Sequence, residues 1–486
     1  KLVSSLPSER AQSVMAEGGI NAALNTKDEN DSPEEHFTDT IKAACGLADP
    51  NAVWGMTQAA PELVHWLLKL GVKFNMSGHD DVDLRNFGGQ KKKRTAFAQS
   101  DTGKQIMTAM IDAVRRKEAS GMVERFSHHS FLTLRLCGNI CCGCVIRDEY
   151  SQETVELPGD AVIVATGGMH GLFGNTTGSL SNTGEVTAEL FRLGVPLANG
   201  EMIQYHPTTV KCGGKRMLIS EAARGEGGRL FAMKDGKQWY FMEEKYPELG
   251  NLMPRDITAR EIWKVSRESE VFLDMTEISD EIISNKLSGL ADDCMTYLHK
   301  DIRKEPVSVL PGIHYFMGGI LVDEQHRTPI QNLYAAGECC AQYHGANRLG
   351  GNSLLGALYG GRVAAKSACE QADVVDLSCA TQIDFPPASQ ISEIKQLNKV
   401  MQETMGVVRN ENTLLNGIQT VQALTGNLPL LGMAVLKSAL ARKESRGAHW
   451  REDYPKSNDD DYLKTTVARF DGKQIQISFV PVPERR

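Results

Sequence analysis

A short glycine-rich turn that contains one arginine restricts the local structure and the kind of binding site that this part of the chain can form. Residues 344–355 read HGANRLGGNSLL, and Arg348 lies there among small residues, directly before an apolar stretch. An arginine matches a carboxylate through two parallel hydrogen bonds, and glycines leave room where a flat ring approaches the backbone. The turn therefore predicts an anion site beside a large cofactor. The alternative is a plain glycine-rich turn before a buried helix, which is common.

An apolar run that ends in two glycines gives a second indication of a cofactor. Residues 160–168 read DAVIVATGG. A continuous apolar run is typical of a strand buried in a parallel sheet, and such sheets bind cofactors at the carboxyl ends of their strands. We therefore expect a buried parallel strand here, although the pattern by itself is weak.

Composition and charge exclude several classes of protein. A chain of 486 residues is too long for one compact core, which indicates about two to four domains. The net charge of -8 provides no basic surface, so nucleic acid is not an expected partner. The sequence contains neither an apolar run of about 18 residues nor a secretory signal. We expect a cytoplasmic protein without direct membrane insertion, either free or held at the cytoplasmic face of a membrane by a partner subunit.

Two regions have apolar residues at the spacing of an amphipathic helix. The first runs from Asp49 to Lys73, and its apolar positions are Val53, Met56, Ala60, Leu63 and Leu67. The second begins at about residue 391 and contains LNKVMQETMGVV and GMAVLKSALARKES. The second region predicts a C-terminal helical domain, with a short pair of strands near the end of the chain.

The cysteines would suit a metal site, above all the cluster Cys137, Cys141, Cys142 and Cys144. Iron–sulfur and zinc sites usually space their thiolates as paired C-x-x-C loops, whereas these cysteines interrupt an apolar run of strand character. A free cysteine behaves as a small buried hydrophobic residue. We therefore predict a structural role for the cluster and no metal site in the protein.

Residues 86–97, NFGGQKKKRTAF, place four consecutive cations beside two glycines. A run of charge usually forms a solvated face, and that is the interpretation we favour. A basic loop at the entrance of a cavity would instead attract a dicarboxylate.

Several longer motifs occur in a fixed order along the chain. They are QYHPTTV (204–210), LISEAARGEGG (218–228), MPRD (253–256), PGIHYFMGGI (311–320), YAAGE (334–338) and the turn at 344–355. With these motifs the chain resembles the succinate dehydrogenase, fumarate reductase and L-aspartate oxidase flavoproteins, and most closely the first two, over nearly its whole length. The resemblance implies an α/β fold in which a Rossmann-like FAD-binding domain is interrupted by an α+β capping domain and followed by a C-terminal helical domain.

Domain bounds follow from the resemblance and from the patterning. We expect the FAD-binding domain at 1–210 and 312–380, the capping domain at 211–311, and the helical domain with its tail at 385–486. The resemblance also implies a first strand and a phosphate-binding G-x-G-x-x-G turn before KLVSS, and the sequence contains no such motif. We expect roughly 30 to 40 further residues ahead of Lys1, the size of a strand-turn-helix unit.

The resemblance implies FAD as the cofactor and C4 dicarboxylates as substrates. Flavoproteins of this family with covalent FAD have a histidine a few residues before the glycine pair of AEGGINAAL, and Gln12 occupies that position here. We therefore expect non-covalent FAD. The expected cofactor contacts are Ser4, Ala16, Glu17, Gly18, Gly19, Ala165, Thr166, Gly167, Gly168, Glu185, Glu338, Ser353 and Leu354; Glu185 replaces the acid of the family's T-G-D-G motif.

The resemblance also assigns roles in catalysis. His206, Ser220, His314 and Arg348 match the positions that bind the dicarboxylate, Arg255 matches the proton shuttle, and Glu221 matches the residue that resupplies its proton. Without the resemblance, the motif PRD would be read as a salt bridge that caps a helix, with Asp256 in the first turn. Arg224 and Arg260 lie nearby, and we expect them to be structural.

The function implied by these residues is an FAD-dependent interconversion of fumarate and succinate. Hydride would pass at flavin N5 while Arg255 transfers the proton, and an iron–sulfur subunit is the expected electron-transfer partner. Two alternatives stay open. The first is an L-aspartate oxidase that forms iminoaspartate, which Ser220 and the absence of the linking histidine favour. The second is a binding or assembly protein that has lost FAD.

Overall fold

The computed structural model describes residues 1–78, 81–372, 385 and 390–486. Its helices are α1 (Pro33–Ala43), α2 (Pro50–Leu70), α3 (Thr102–Ala119), α4 (Glu185–Arg192), α5 (Glu221–Gly225), α6 (Phe241–Lys245), α7 (Arg255–Val265), α8 (Asp280–Lys286), α9 (Ser288–Asp293), α10 (Asn352–Gln371), α11 (Ile391–Thr404), α12 (Glu411–Val421), α13 (Asn427–Ala441) and α14 (Asp459–Tyr462).

Its strands are β1 (Leu2–Ser4), β2 (Ile20–Asn21), β3 (Leu84–Arg85), β4 (Thr95–Ala96), β5 (Arg125–Ser127), β6 (His129–Cys137), β7 (Ile140–Asp148), β8 (Thr154–Pro158), β9 (Val162–Val164), β10 (Leu197–Ala198), β11 (Ile203–Cys212), β12 (Lys215–Leu218), β13 (Arg229–Lys234), β14 (Lys237–Trp239), β15 (Val271–Asp274), β16 (Val307–Ser308), β17 (Leu310–Phe316), β18 (Gly319–Leu321), β19 (Leu333–Ala335), β20 (Cys340–Ala341), β21 (Lys464–Phe470) and β22 (Ile475–Pro481).

Helix α2 begins and ends at residues that the local sequence sets. The side chain of Asp49 accepts hydrogen bonds from the amides of Asn51 (2.9 Å) and Ala52 (3.2 Å), which have no partner within the helix. Gly71 ends the helix with a left-handed backbone, at a φ of 99°. The apolar positions predicted to face the core are all buried. The predicted amphipathic helix is therefore confirmed.

Parallel strand pairs lie where the cofactor was expected. Strand β9 pairs with β19, and β1 pairs with β5, both in parallel. The strand predicted over residues 160–168 is shorter than expected, because β9 ends at Val164 and Gly167 adopts a left-handed φ of 73°. The chain therefore leaves the sheet at the carboxyl end of β9, where the predicted cofactor contacts begin.

Strand β11 brings two distant motifs together. It pairs in antiparallel fashion with β12 on one side and β17 on the other, so that Tyr205 lies opposite Ile313 and His206 opposite Gly312. Two register shifts in the β11–β17 pair bend the ladder at this point. The QYHPTTV and PGIHYFMGGI motifs thus lie side by side, although about a hundred residues separate them in the sequence.

The chain between β12 and β17 forms a region with its own core. A four-stranded antiparallel sheet with the order β14-β13-β15-β16 packs with α6, α8 and α9 around buried apolar residues that include Leu230, Ile262, Leu273 and Leu290. Helix α7 contributes Ile262 to this core and also packs on β11. This region corresponds to the expected capping domain, and its predicted bounds of 211–311 stay a prediction.

The C-terminal helices form another layer. Helices α11, α12 and α13 share a core with α4 and β21, which includes Leu397, Leu414, Leu431 and Val435. Strands β21 and β22 pair as a hairpin, and β21 joins β10 in a five-stranded sheet. The predicted domain boundary between residues 380 and 385 lies outside the described residues, apart from Phe385.

The cysteine cluster lies in the antiparallel sheet β6-β7-β8, so its predicted strand character is confirmed. Cys141 and Cys142 are buried in β7, and Cys144 is partly buried in the same strand. In the described part of the chain, no group of three or more His, Cys, Asp or Glu side chains is arranged to hold a metal ion. Among the same residues, no helix has both the length and the apolar composition needed to cross a membrane.

The four consecutive cations of the basic loop have different environments. Lys91 and Lys93 are exposed, whereas Arg94 is fully buried. The guanidinium of Arg94 binds Asp31 (Nε to Oδ2, 3.1 Å; Nη2 to Oδ1, 2.8 Å) and approaches Asp39 (Nη1 to Oδ2, 2.9 Å). One cation of the loop thus forms a buried cluster with two carboxylates that stabilises the region around α1.

We predict that Arg94→Met lowers the free energy of unfolding by about 3–5 kcal/mol, because it leaves two buried carboxylates without their cation. The measurement is the midpoint of unfolding in denaturant. The matched control is Lys93→Met, whose ammonium group is half exposed and 3.7 Å from Glu29; it should cost less than about 1 kcal/mol. Equal effects of the two substitutions would contradict the prediction.

Candidate active site

A cavity of about 610 Å³ opens between β11, β17, α5, α7 and the start of α10. Its volume is in the range of sites that bind cofactors and small molecules. It is lined by the predicted residues Ala16, Glu17, Gly18, Gly19, Ala165, Gly167, His206, Ser220, Glu221, Arg255, His314, Glu338, Arg348, Ser353 and Leu354. The structure therefore brings all six predicted substrate and catalytic residues to one place.

Four predicted cofactor contacts do not line this cavity. Ser4 turns back to donate to the carbonyl of Leu6, at 2.5 Å. Gly168 packs against Glu338, and a Cβ added there would lie 2.7 Å from its Oε1. Thr166 does not line the cavity, and neither does Glu185, which is exposed in the first turn of α4.

Arg255 and Glu221 form a buried ion pair at the cavity wall. The Nε and Nη2 atoms of Arg255 both donate to Oε2 of Glu221, at 2.8 and 2.5 Å. The other carboxylate oxygen accepts from the amide of Gly88 (3.1 Å) and lies 3.3 Å from Nη2 of Arg224. Burial opposes the ionisation of Glu221, but the two arginines outweigh it and hold its pKa below the usual value. Glu221 is therefore a carboxylate between two guanidinium groups.

The neighbouring arginine in the same helix has different contacts. Asp256 lies in the first turn of α7 and pairs with Arg260 at 3.5 Å. Arg260 also donates to the carbonyl of Gly447 (3.1 Å) and covers the ring of Trp450 at 4.3 Å. The helix-capping salt bridge that the motif PRD would predict therefore exists, but it involves Asp256 and Arg260, whereas Arg255 faces the cavity.

Two histidine rings share the cavity wall. The ring centroids of His206 and His314 are 5.1 Å apart. Nδ1 of His206 lies 3.0 Å from the carbonyl oxygen of Thr208, and Nδ1 of His314 lies 2.8 Å from Oγ1 of Thr177. Burial, reinforced by the charge of Arg255, holds the pKa of both rings well below 6.5. Both imidazoles are therefore neutral at physiological pH.

Arg348 is a buried cation without a counterion. Within the described residues its guanidinium forms no ion pair, and its Nε atom is buried without a hydrogen-bond partner. Its charge lies 4.3 Å above the ring of Tyr315. Burial and the charge of Arg255 lower its pKa to about 9. An anion in the cavity would supply the missing partner, as the sequence of the turn predicted.

Ser220 lies at the start of α5, directly before Glu221 of the ion pair. Its side chain accepts from the amide of Ala222 at 3.4 Å, which caps the helix. The hydroxyl group is buried and lines the cavity, so its hydrogen can still be donated to a ligand.

Comparison with known proteins agrees with this geometry. The profile of a family described as FAD binding domain matches residues 1–354, and that of fumarate reductase flavoprotein C-term matches residues 424–485. The succinate dehydrogenase flavoprotein subunit of Bacillus subtilis is 37% identical to this chain, over 100% of the chain and 94% of that protein.

The chain belongs to the succinate dehydrogenase and fumarate reductase flavoprotein family. L-aspartate oxidase from Nostoc sp. is 31% identical, over 93% of the chain and 86% of that protein. A solved structure of E. coli quinol fumarate reductase superposes with a TM-score of 0.89 and 27% identity, over 99% of this chain and 92% of that one. These matches confirm the predicted α/β fold class, an enzyme of the FAD-dependent oxidoreductase type, and FAD as the cofactor. They argue against a binding protein that has lost FAD.

The residues of the flavoprotein cavity fit FAD. Gly19 has a φ of 137°, and a Cβ there would lie 2.5 Å from the carbonyl oxygen of Ala96, so only glycine is accommodated. The nearest atom to a Cβ added at Gly337 would be Cβ of Ala357, at 3.7 Å, so the backbone of Gly337 is open to a ligand. Ser353 and Leu354 line the cavity at the amino end of α10, where free amide groups favour a negatively charged ligand. Ser353, Leu354 and the glycines are therefore suited to hold the cofactor.

Other residues of the flavoprotein site were inside quoted motifs but were not selected. Gln204 is the first residue of the QYHPTTV motif, and Tyr315 directly follows His314. Gln204 contacts Arg255, and Tyr315 contacts Arg348. Both residues have polar atoms and lie within four residues of a predicted substrate-binding histidine, and this was the signal that the sequence offered. Thr177, which contacts His314, lies outside every motif that the sequence indicated.

Proposed function

We propose that this flavoprotein interconverts fumarate and succinate, with hydride transfer at N5 of FAD and proton transfer by Arg255. The observation that carries the proposal is that two buried arginines, Arg255 and Arg348, face one cavity together with the neutral imidazoles of His206 and His314. The two cations repel each other across a poorly solvated space. A C4 dicarboxylate would relieve that repulsion because it carries two negative charges.

The substrate clamp consists of Arg348, His206, His314 and Ser220. Arg348 offers a planar fork that matches one carboxylate in two hydrogen bonds. Each neutral imidazole and the hydroxyl of Ser220 can donate one further bond. Donors that hold one carboxylate out of conjugation with the alkene would polarise the double bond, and this is how binding energy accelerates the reaction.

Arg255 is the proposed proton donor at the cavity wall. A guanidinium normally stays protonated, so it acts as an acid only when it is desolvated and its proton is resupplied. Arg255 is 6% exposed, and its partner Glu221 contacts Arg224 on the other side. Glu221 thus contacts both guanidinium groups, and we propose it as the relay that resupplies the proton of Arg255. When bound, FAD supplies the hydride chemistry.

The remaining assignments follow from the resemblance and from the cavity. We propose that the thirteen predicted cofactor residues contact FAD; nine of them line the cavity, and Ser4, Thr166, Gly168 and Glu185 do not. We propose that the FAD-binding domain spans 1–210 and 312–380, the capping domain 211–311 and the helical domain 385–486. An iron–sulfur subunit is the proposed electron-transfer partner and would hold the protein at the cytoplasmic face of a membrane, since relatives are named as subunits of succinate dehydrogenases and fumarate reductases.

L-aspartate oxidation is the second candidate function. It is favoured by the 31% identity to an enzyme of that name and by Ser220 in the LISEA segment. The higher identity to a succinate dehydrogenase subunit, 37%, favours the first proposal.

The test compares three reactions of the purified FAD-loaded protein. We expect turnover with fumarate and a reduced dye and with succinate and an oxidised dye, and no hydrogen peroxide from L-aspartate and oxygen. The site has donors for two carboxylates, but an aspartate ammonium group would face two arginines. Oxidation of L-aspartate at a rate equal to that of fumarate reduction would favour the second candidate.

We predict that Arg255→Ala abolishes turnover of fumarate while FAD content and dicarboxylate binding stay nearly intact. Proton transfer by a positioned group is commonly worth about 10² to 10⁴ in rate, and loss of the proposed donor should reach the upper end. Steady-state kinetics with a reduced dye measure the loss. The matched control is Arg260→Ala in the same helix, which should cost little. An Arg255 variant that keeps more than roughly a tenth of the wild-type rate would remove Arg255 from the proton-donor role.

We predict that the FAD is non-covalent, because Gln12 occupies the position of the linking histidine and its amide cannot form that bond. Its Oε1 accepts a hydrogen bond from the backbone amide of Ser179 at 2.5 Å, so it has a role in the protein itself. Acid precipitation should release all the yellow colour into the supernatant. Flavin that stays with the pellet would show that another residue links it.

A further inference from the structure

Gln204 is a buried glutamine between the two arginines of the active site. Its Oε1 accepts a hydrogen bond from Nη1 of Arg255 at 3.1 Å. Its Nε2 donates to the backbone carbonyl of Arg348 at 2.8 Å and to Oδ1 of Asn347 at 3.0 Å. A guanidinium can only donate and a backbone carbonyl can only accept, so this arrangement allows one orientation of the amide. The side chain is 0% exposed and has no freedom to exchange these partners for water.

The contact with Gln204 controls how the guanidinium of Arg255 can move. Nε and Nη2 of Arg255 both donate to the same oxygen of Glu221, Oε2. Two bonds to one atom leave the planar group able to pivot about that atom. The third bond, from Nη1 to Gln204, holds the opposite edge and removes the pivot. The remaining N–H groups of Arg255 are thereby fixed in direction, and the residue lines the cavity.

The same glutamine also fixes the turn that carries Arg348. Among the described residues, the Gln204 side chain forms hydrogen bonds with both the Arg255 guanidinium and the Arg348 backbone carbonyl. Arg255 begins α7 in the region between β12 and β17, whereas Arg348 precedes α10. One side chain on β11 therefore links residues that reach the cavity from different parts of the chain.

We propose that Gln204 is a positioning residue that holds the proton donor at a fixed place relative to the substrate clamp. The proposal rests on the proposed function, since it takes Arg255 as the donor and Arg348 as part of the clamp. Gln204 needs no contact with substrate for this role. It determines where a proton is delivered, because reacting groups must lie within a fraction of an ångström of the productive geometry.

The first test substitutes Gln204→Leu in the FAD-loaded protein, which keeps most of the volume and removes all three hydrogen bonds. We expect kcat for fumarate reduction to fall about 10²-fold, the loss that a displacement of about 1 Å can cause. The dissociation constant of malonate, a dicarboxylate without an alkene, should change less than about tenfold, because Arg348, His206, His314 and Ser220 are retained. A deuterium solvent isotope effect on kcat should increase as proton transfer becomes limiting.

The second test substitutes Gln204→Glu, which preserves shape and keeps the protein testable if the leucine variant does not fold. A carboxylate would still accept from Arg255, but it would stabilise the charged form of that arginine and could not donate to the Arg348 carbonyl. We expect kcat to fall at least tenfold and the solvent deuterium isotope effect on kcat to increase, because the arginine would hold its proton more tightly. A purely structural role would leave the isotope effect unchanged.

The matched control is Gln342→Leu. Gln342 is also a buried glutamine, and its Nε2 donates to the carbonyl of Asp323 at 2.7 Å, away from the cavity. Its kcat should equal that of the wild type.

The positioning role is overturned if Gln204→Leu keeps kcat within about threefold of wild type, or if both Gln204 variants lose FAD in proportion to activity. Arg255→Ala, assayed in parallel, separates the two proposals: an active Arg255→Ala rejects the proton donor, whereas an inactive one beside an active Gln204→Leu rejects the positioning role alone.

Discussion

Uncompensated positive charge in a buried space is the constraint on which this structure depends. Arg255 and Arg348 are buried at the wall of one cavity, and Arg224 is buried beside Glu221. Among the described residues, Glu221 forms ion pairs with Arg224 and Arg255, whereas Arg348 has no ion-pair partner. Burial of an unpaired cation is costly, and its cost is visible in the lowered pKa of Arg348, about 9. The site is therefore built for a ligand with negative charge. The neutral histidines beside it add hydrogen-bond donors without adding further positive charge.

The fold holds these charges in place because each arrives on a different rigid element. Strands β11 and β17 carry the histidines, α7 begins at Arg255, and the turn before α10 carries Arg348. Arg255 belongs to the part of the chain that packs with the β13–β16 sheet, and the glycines expected to approach FAD belong to the rest. The cavity is complete only where these parts meet. Burial of these groups lowers the local polarity, which strengthens the electrostatic interactions among them.

Most of the candidate site could be predicted from the sequence, because its residues lie in long motifs. All six predicted substrate and catalytic residues line the cavity, and so do nine of the expected cofactor contacts. The expected cofactor contacts that do not line the cavity lie where a motif continues after the chain has turned away from the cavity. Ser4 bonds to its own loop, and Gly168 packs behind Glu338. Thr177 was not predicted because nothing in its local sequence marks it; only the position of β17 gives it His314 as a partner.

The sequence alone determined the family, the cofactor, the helix at α2 and the identity of the charged residues, since each depends on local spacing or on motifs. Only the tertiary structure decided which charges pair. The same sequence pattern allowed Arg255 to cap its own helix with Asp256, yet that pairing belongs to Arg260, and Arg255 reaches Glu221 and Gln204 instead. Local periodicity fixes which residues share a face of a helix or strand. It does not fix which faces meet, because those contacts join residues far apart in the chain and depend on how the whole core packs.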